Sequence, residues 1–90
     1  MIRLSKSIIG KREIKEVTRV LKKEYLGMGE EVFRFENELS NFLDSNVVCV
    51  NSGTAALQLA LQAIGIKKDD EVLVQSLTYL ATFQAISALG

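Results

Sequence analysis

Three short stretches of the sequence gather residues that could hold a ligand. The first is Asn51-Ser52-Gly53-Thr54-Ala55, small hydroxyl residues and a glycine set between the apolar run Val47-Val48-Cys49-Val50 and a helical pattern that runs on to Ile64. A helix beginning here leaves the N–H groups of its first turn unpaired at the positive end of its dipole. A phosphate could accept from those amides and from the Ser52 and Thr54 hydroxyls. Gly53 would let the backbone approach such an anion closely. The same residues also read as an ordinary cap at Asn51 or Ser52 with nothing bound, and on spacing alone that is the better reading. The second stretch is Ser76-Leu77-Thr78-Tyr79, which offers another cap and an aromatic ring. Tyr79 could stack on a flat heterocycle, a contact worth about 0.5–1.5 kcal/mol beyond its area; taken alone, it reads better as a ring half-buried at a sheet rim. The third is Leu26-Gly27-Met28-Gly29, first a helix break and second a loop lining a mouth.

Other chemistries lack their residues. There is no histidine and a single cysteine, which removes the commonest base and leaves no transition-metal site to propose. Cys49 lies inside an apolar run, reads as a small core residue and excludes a disulfide framework, which fits a reducing compartment. After Val50 the chain carries neither GxGxxG nor GxxxxGK, so neither nucleotide fingerprint applies. Lys6, Lys11, Lys15, Lys22, Lys23, Lys67 and Lys68 all fall in amphipathic or polar surroundings and read as solvated surface groups.

Eleven basic and eleven acidic side chains cancel among the 90 residues, which argues against a nucleic-acid footprint. The balance is uneven: residues 1–24 hold eight basic and three acidic groups, residues 25–46 one and five, residues 47–90 two and three. Such asymmetry ordinarily marks the solvated faces of helices. No apolar stretch approaches the length of a membrane span, and no signal peptide is recognisable.

The elements that would position the three stretches follow from periodicity. Ile14, Val17, Val20 and Leu21 predict an amphipathic helix over 11–25, broken at Leu26 to Gly29. Val32, Phe35, Leu39, Phe42 and Leu43 predict a second from Glu30, stopped at Asp44-Ser45-Asn46. Val47 to Val50 reads as a buried strand, 51–65 as a helix, Glu71 to Gln75 as a second buried strand, and Tyr79 to Leu89 as a last helix. Helix, helix, strand, helix, strand, helix is the order of an α/β sheet built from crossover units, whose ligands bind beyond the strand carboxyl ends. Residues 1–45 would supply the opening helices and 46–90 a βαβα unit.

Taken as a linked series, these residues resemble the start of the DegT/DnrJ/StrS-type sugar aminotransferases, fold-type I enzymes dependent on pyridoxal 5′-phosphate (PLP). The resemblance is carried by the Gly10-to-Leu26 helix, by Gly27 to Glu36, and by Asn51-Ser52-Gly53-Thr54-Ala55-Ala56-Leu57 followed by Gly65-Ile66, Asp70-Glu71-Val72 and Ser76-Leu77-Thr78-Tyr79. It implies part of the family's large domain, with an incomplete sheet. It also implies that Ser52, Gly53, Thr54 and Ala55 lie at the PLP phosphate and that Tyr79 stacks on the cofactor ring. Leu26, Gly27, Met28 and Gly29 would border the entrance for a nucleotide-linked keto sugar, which receives an amino group from glutamate. A cytoplasmic homodimer with shared active sites is expected. Two departures stand out: Lys67-Lys68-Asp69-Asp70 where the family commonly has a Pro-Gly turn, and Gln75 where Pro commonly stands, so the second strand end is expected to be less rigid.

The cofactor-bearing lysine and the carboxylate facing the pyridine nitrogen come from later in the family's chain, so no catalytic residue and no metal ligand is assigned here. The ninety residues alone are expected to be inactive. A sugar dehydratase of the same family, and a stand-alone α/β module that binds a phosphorylated ligand or pairs through its sheet edge, are the alternatives left open.

Overall fold

The computed structural model describes residues 2 and 4–90. Among the described residues four helices follow one another: α1 (Lys11–Leu21), α2 (Glu30–Leu43), α3 (Gly53–Ala63) and α4 (Leu80–Ser87). They fall into two units, Met1–Val47 and Val48–Gly90. No described helix is long and apolar enough to cross a membrane.

In the first unit, the Glu13 carboxylate accepts the Gly10 N–H at 2.6 Å and so closes one orphan donor at the start of α1. The helix ends at Leu21 rather than running to 25 as its periodicity predicts. Lys23 and Glu24 N–H turn back onto the Val20 and Leu21 carbonyls, and Glu24 enters the left-handed region at φ 56. Glu30 and Glu31 lie in the first turn of α2, where the helix dipole favours them. That helix closes with Asp44 at φ 50 and Ser45 N–H on the Ser40 carbonyl at 3.2 Å.

In the second unit, the Ser52 side chain caps α3 by accepting the Ala55 N–H at 3.2 Å. The helix finishes in a Schellman motif: Gly65 at φ 85, its N–H on the Gln62 carbonyl and Ile66 N–H on the Leu61 carbonyl. Here glycine is needed for its conformation. α3 packs against α4, and the tightest point of that contact is small-residue packing: Ala85 is 1 % exposed and Ala81 8 %.

The two predicted strands are not present. Val47 to Val50 and Glu71 to Gln75 carry no regular secondary structure, and among the described residues there is no strand, so the sheet of the expected α/β order is absent. A strand exists only by pairing with a neighbour about 4.8 Å away, and these two segments do not pair with each other. Val48 and Leu73 stand exposed as a result. Cys49, expected in a core, is half-buried and forms no disulfide.

The turn over Lys67 to Asp70 is closed from within. Lys67 N–H donates to Asp70 Oδ2 at 2.7 Å, Asp70 N–H returns to the Lys67 carbonyl at 3.1 Å, and Asp69 takes the left-handed position at φ 71. Hydrogen bonds supply here what a proline ring would supply by covalent restriction.

Candidate functional site

Ser52, the cap of α3, stands next to Gly53 and Thr54, the first two residues of the helix, and all three are exposed, with Ala55 half-buried behind them. Ala55 N–H is taken by the Ser52 side chain and Ala56 N–H by the Ser52 carbonyl at 3.0 Å. No acceptor among the described residues meets the Gly53 or Thr54 N–H. Two adjacent donors therefore point out of the helix end, on the side its dipole makes positive.

The hydroxyls differ in readiness. The Ser52 hydroxyl already donates to Asn51 Oδ1, at a long 3.3 Å, while the Thr54 hydroxyl makes no hydrogen bond among the described residues. A dianion accepts more strongly than an amide oxygen, so it would draw the Ser52 proton away from Asn51.

Gly53 is explained by nothing in its own chain. It lacks the positive φ that would demand glycine, and a Cβ built on it would meet no atom within 4 Å. The space in front of it is open. These observations fit a phosphate-bearing cofactor: two free amides, an uncommitted hydroxyl, an open approach and no carboxylate among Asn51 to Ala55 to repel an anion.

Tyr79 immediately precedes α4, and the Thr82 N–H closes onto its carbonyl at 3.0 Å. Beside it, Thr78 and Thr82 share a hydroxyl hydrogen bond of 3.1 Å. The ring is 82 % exposed, so the expected packing against a sheet rim does not occur. It lies in the same unit as the α3 cap, and no hydrogen bond joins it to Ser52 through Ala55 among the described residues.

The chain belongs to the DegT/DnrJ/EryC1/StrS aminotransferase family. The family's sequence model matches residues 7–90. The chain is 45 % identical over 84 residues to the spore coat polysaccharide biosynthesis protein SpsC of Bacillus subtilis, covering 92 % of this chain and 22 % of that protein. It is 44 % identical over 75 residues to a dTDP-3-amino-3,4,6-trideoxy-alpha-D-glucose transaminase of Streptomyces venezuelae, covering 82 % of this chain and 20 % of the relative. A UDP-4-amino-4,6-dideoxy-N-acetyl-beta-L-altrosamine transaminase of Campylobacter jejuni is 40 % identical over 91 residues, spanning all of this chain and 24 % of its own length. The chain thus spans about a fifth to a quarter of the relatives it matches. No solved structure gives a significant match. The family is one of fold-type I aminotransferases.

In this chain the third stretch, Leu26 to Gly29, belongs to the first unit. It borders a cleft of about 480 Å³ whose lining includes Lys23, Tyr25, Gly27, Gly29 and Glu31. Gly27 has open space where a Cβ would stand, whereas a Cβ on Gly29 would collide with the Tyr25 ring, 2.7 Å from its Cδ1. At the foot of this turn the structure places an ion cluster that periodicity alone did not reveal. Glu31 Oε1 accepts from Arg19 Nη1 at 2.7 Å and from Lys23 Nζ at 3.0 Å, and Arg19 Nε also reaches Glu16 at 2.9 Å. Hydrogen bonds from Arg19, then from Lys23, hold the Glu31 carboxyl down at about 2, and the Arg19 guanidinium is correspondingly raised. The available signal was Arg19 and Lys23 four residues apart, with acidic residues just beyond a glycine turn.

Proposed function

We propose that this chain is the cofactor-phosphate end of a PLP-dependent aminotransferase that moves an amino group from glutamate to a nucleotide-linked keto sugar. The observation that carries the reading is the pair of unpaired N–H groups on Gly53 and Thr54 at the exposed start of α3, with open space where a Gly53 Cβ would stand. The named transaminase relatives support the sugar-nucleotide substrate class.

Gly53 and Thr54 would donate their amides to the phosphate, with the Thr54 hydroxyl and the Ser52 hydroxyl completing the grip and Ala55 closing the turn behind. Tyr79 would lie against the ring. PLP, when bound, supplies an electron sink conjugated to the substrate nitrogen, which lets a neighbouring proton leave. The part played by these ninety residues is to fix the phosphate and so orient the ring. The lysine and the carboxylate that complete the chemistry are assigned to other parts of the longer protein. Residues 1–90 would form part of its large domain, with 1–45 as opening helices and 46–90 as a βαβα unit. Val47 to Val50 and Glu71 to Gln75 would become strands once their neighbours pair with them. A cytoplasmic homodimer with active sites at its interface completes the reading.

The test is to supply the full-length protein with PLP, glutamate and dTDP-, UDP- or GDP-linked keto sugars and to follow amino-sugar formation. Turnover of one of them is expected, with Gly53→Val abolishing PLP retention. Absence of turnover with all three classes, or full retention in Gly53→Val, would overturn the reading.

A further inference from the structure

We propose that Glu31, gripped by Arg19 and Lys23, is a positioning residue that holds the Leu26–Gly29 turn in the shape of a substrate mouth; this rests on the reading of that turn as the sugar-nucleotide entrance. Nine residues separate the end of α1 at Leu21 from Glu31 in the first turn of α2, and the turn lies wholly within that span. The clamp ties the two ends of the span together. Arg19 reaches Glu31 from α1 at 2.7 Å, and Lys23, two residues beyond the helix, reaches it at 3.0 Å and Glu30 at 3.6 Å. With both ends fixed, the conformations open to the turn are few, and less entropy is lost when a ligand orders it.

The same geometry argues against a binding role for these cations. Both are committed to carboxylates, and Glu16, Glu30 and Glu31 outnumber them, so the cluster offers no net positive site to a nucleotide's phosphates. Lys23 and Glu31 nevertheless line the cleft that Gly27 and Gly29 border, so any slackening of the clamp is felt at its wall. Inside the turn the Tyr25 ring rests on Gly29, whose missing Cβ makes that contact possible.

The experiment uses the full-length protein with Glu31→Gln, and with Arg19→Lys as the conservative variant that keeps both positive charges beside Glu31. In Glu31→Gln, tryptic cleavage after Lys22 and Lys23 should quicken about two- to fivefold, the range expected for losing exposed ion pairs. KM for the keto-sugar nucleotide should rise by a similar factor, with kcat, the KM for glutamate and PLP retention unchanged. Arg19→Lys should stay near wild type in all of these. Unchanged cleavage in Glu31→Gln would show that the clamp does not hold the turn. Faster cleavage with an unchanged keto-sugar KM, or an equal change in the glutamate KM, would show that the held turn is not the mouth. Either result overturns the inference while wild-type turnover leaves the aminotransferase reading standing, and a wild-type protein without turnover overturns both.

Discussion

Thr54 combines an unpaired N–H and an uncommitted hydroxyl at one helix end. Thr54→Val keeps the shape and the amide but removes the hydroxyl, so PLP release from the full-length protein should accelerate by about ten- to 150-fold, the cost of one charge-assisted hydrogen bond. Tyr79→Ala removes a stacking surface and should weaken retention by about two- to twelvefold. Absorbance-monitored dialysis against PLP-free buffer measures both, and wild-type retention in the two variants would dissociate these residues from the cofactor. A third residue-scale effect is set by charge. The Glu31 carboxyl titrates at about 2 in the fold against an ordinary value of 4.5, because Arg19 and Lys23 hold its charged form. A depressed folded value contributes stability that is complete above 4.5 and disappears as pH falls from there through 2. Urea midpoints of the full-length protein should therefore decline over that acid window more steeply in wild type than in Glu31→Gln, and identical acid limbs would contradict the clamp.

At the scale of elements, helix ends decide what can be engineered. Asp44 pays for a left-handed conformation at the end of α2, at φ 50, where glycine would adopt it freely. Asp44→Gly should stabilise the full-length protein by about 0.5–1 kcal/mol, read as a raised melting temperature. Asp70→Ala should do the opposite by about 1 kcal/mol, since the Lys67 N–H loses its side-chain acceptor. All four helices were legible in the sequence because their signals are local: the apolar spacing of Val32, Phe35 and Leu39, the hydroxyl cap at Ser52, the glycine after Ile64. The early end of α1 was not, since Lys22 to Glu24 continue a good helical composition and only a left-handed Glu24 breaks it. The strands failed for a physical reason. An apolar β-branched run states a preference for a covered sheet but carries no partner, and pairing is a property of two segments. Of the candidate site, the cap and its free amides were readable from Ser52 and Gly53. The clamp was not, because it joins residues twelve apart across a turn.

Taken whole, the chain exposes 8490 Å² for a mass of 10.0 kDa. A compact globular chain of that mass exposes about 5,200 Å², and even two independent halves would together expose about 6,300 Å². Among the described residues the first unit has no buried hydrophobic residue and the second has only Ala81 and Ala85, so neither covers its own apolar surface. Phe42, Leu73 and Leu77 stand almost fully in water. Faces of this kind are ordinarily covered by other polypeptide, in keeping with relatives four to five times as long. The ninety residues taken alone should accordingly melt without a cooperative heat-absorption peak, and no single lysine should become fixed to PLP on borohydride reduction. A sharp two-state transition in dilute monomer, or specific labelling of one lysine, would contradict this.

The most direct measurement of the central claim is a crystal structure of the full-length protein with PLP. The account predicts phosphate oxygens about 2.7–3.2 Å from the Gly53 and Thr54 nitrogens and within reach of the Thr54 hydroxyl. A cofactor phosphate bound at another helix end, with solvent on these two amides, would contradict it.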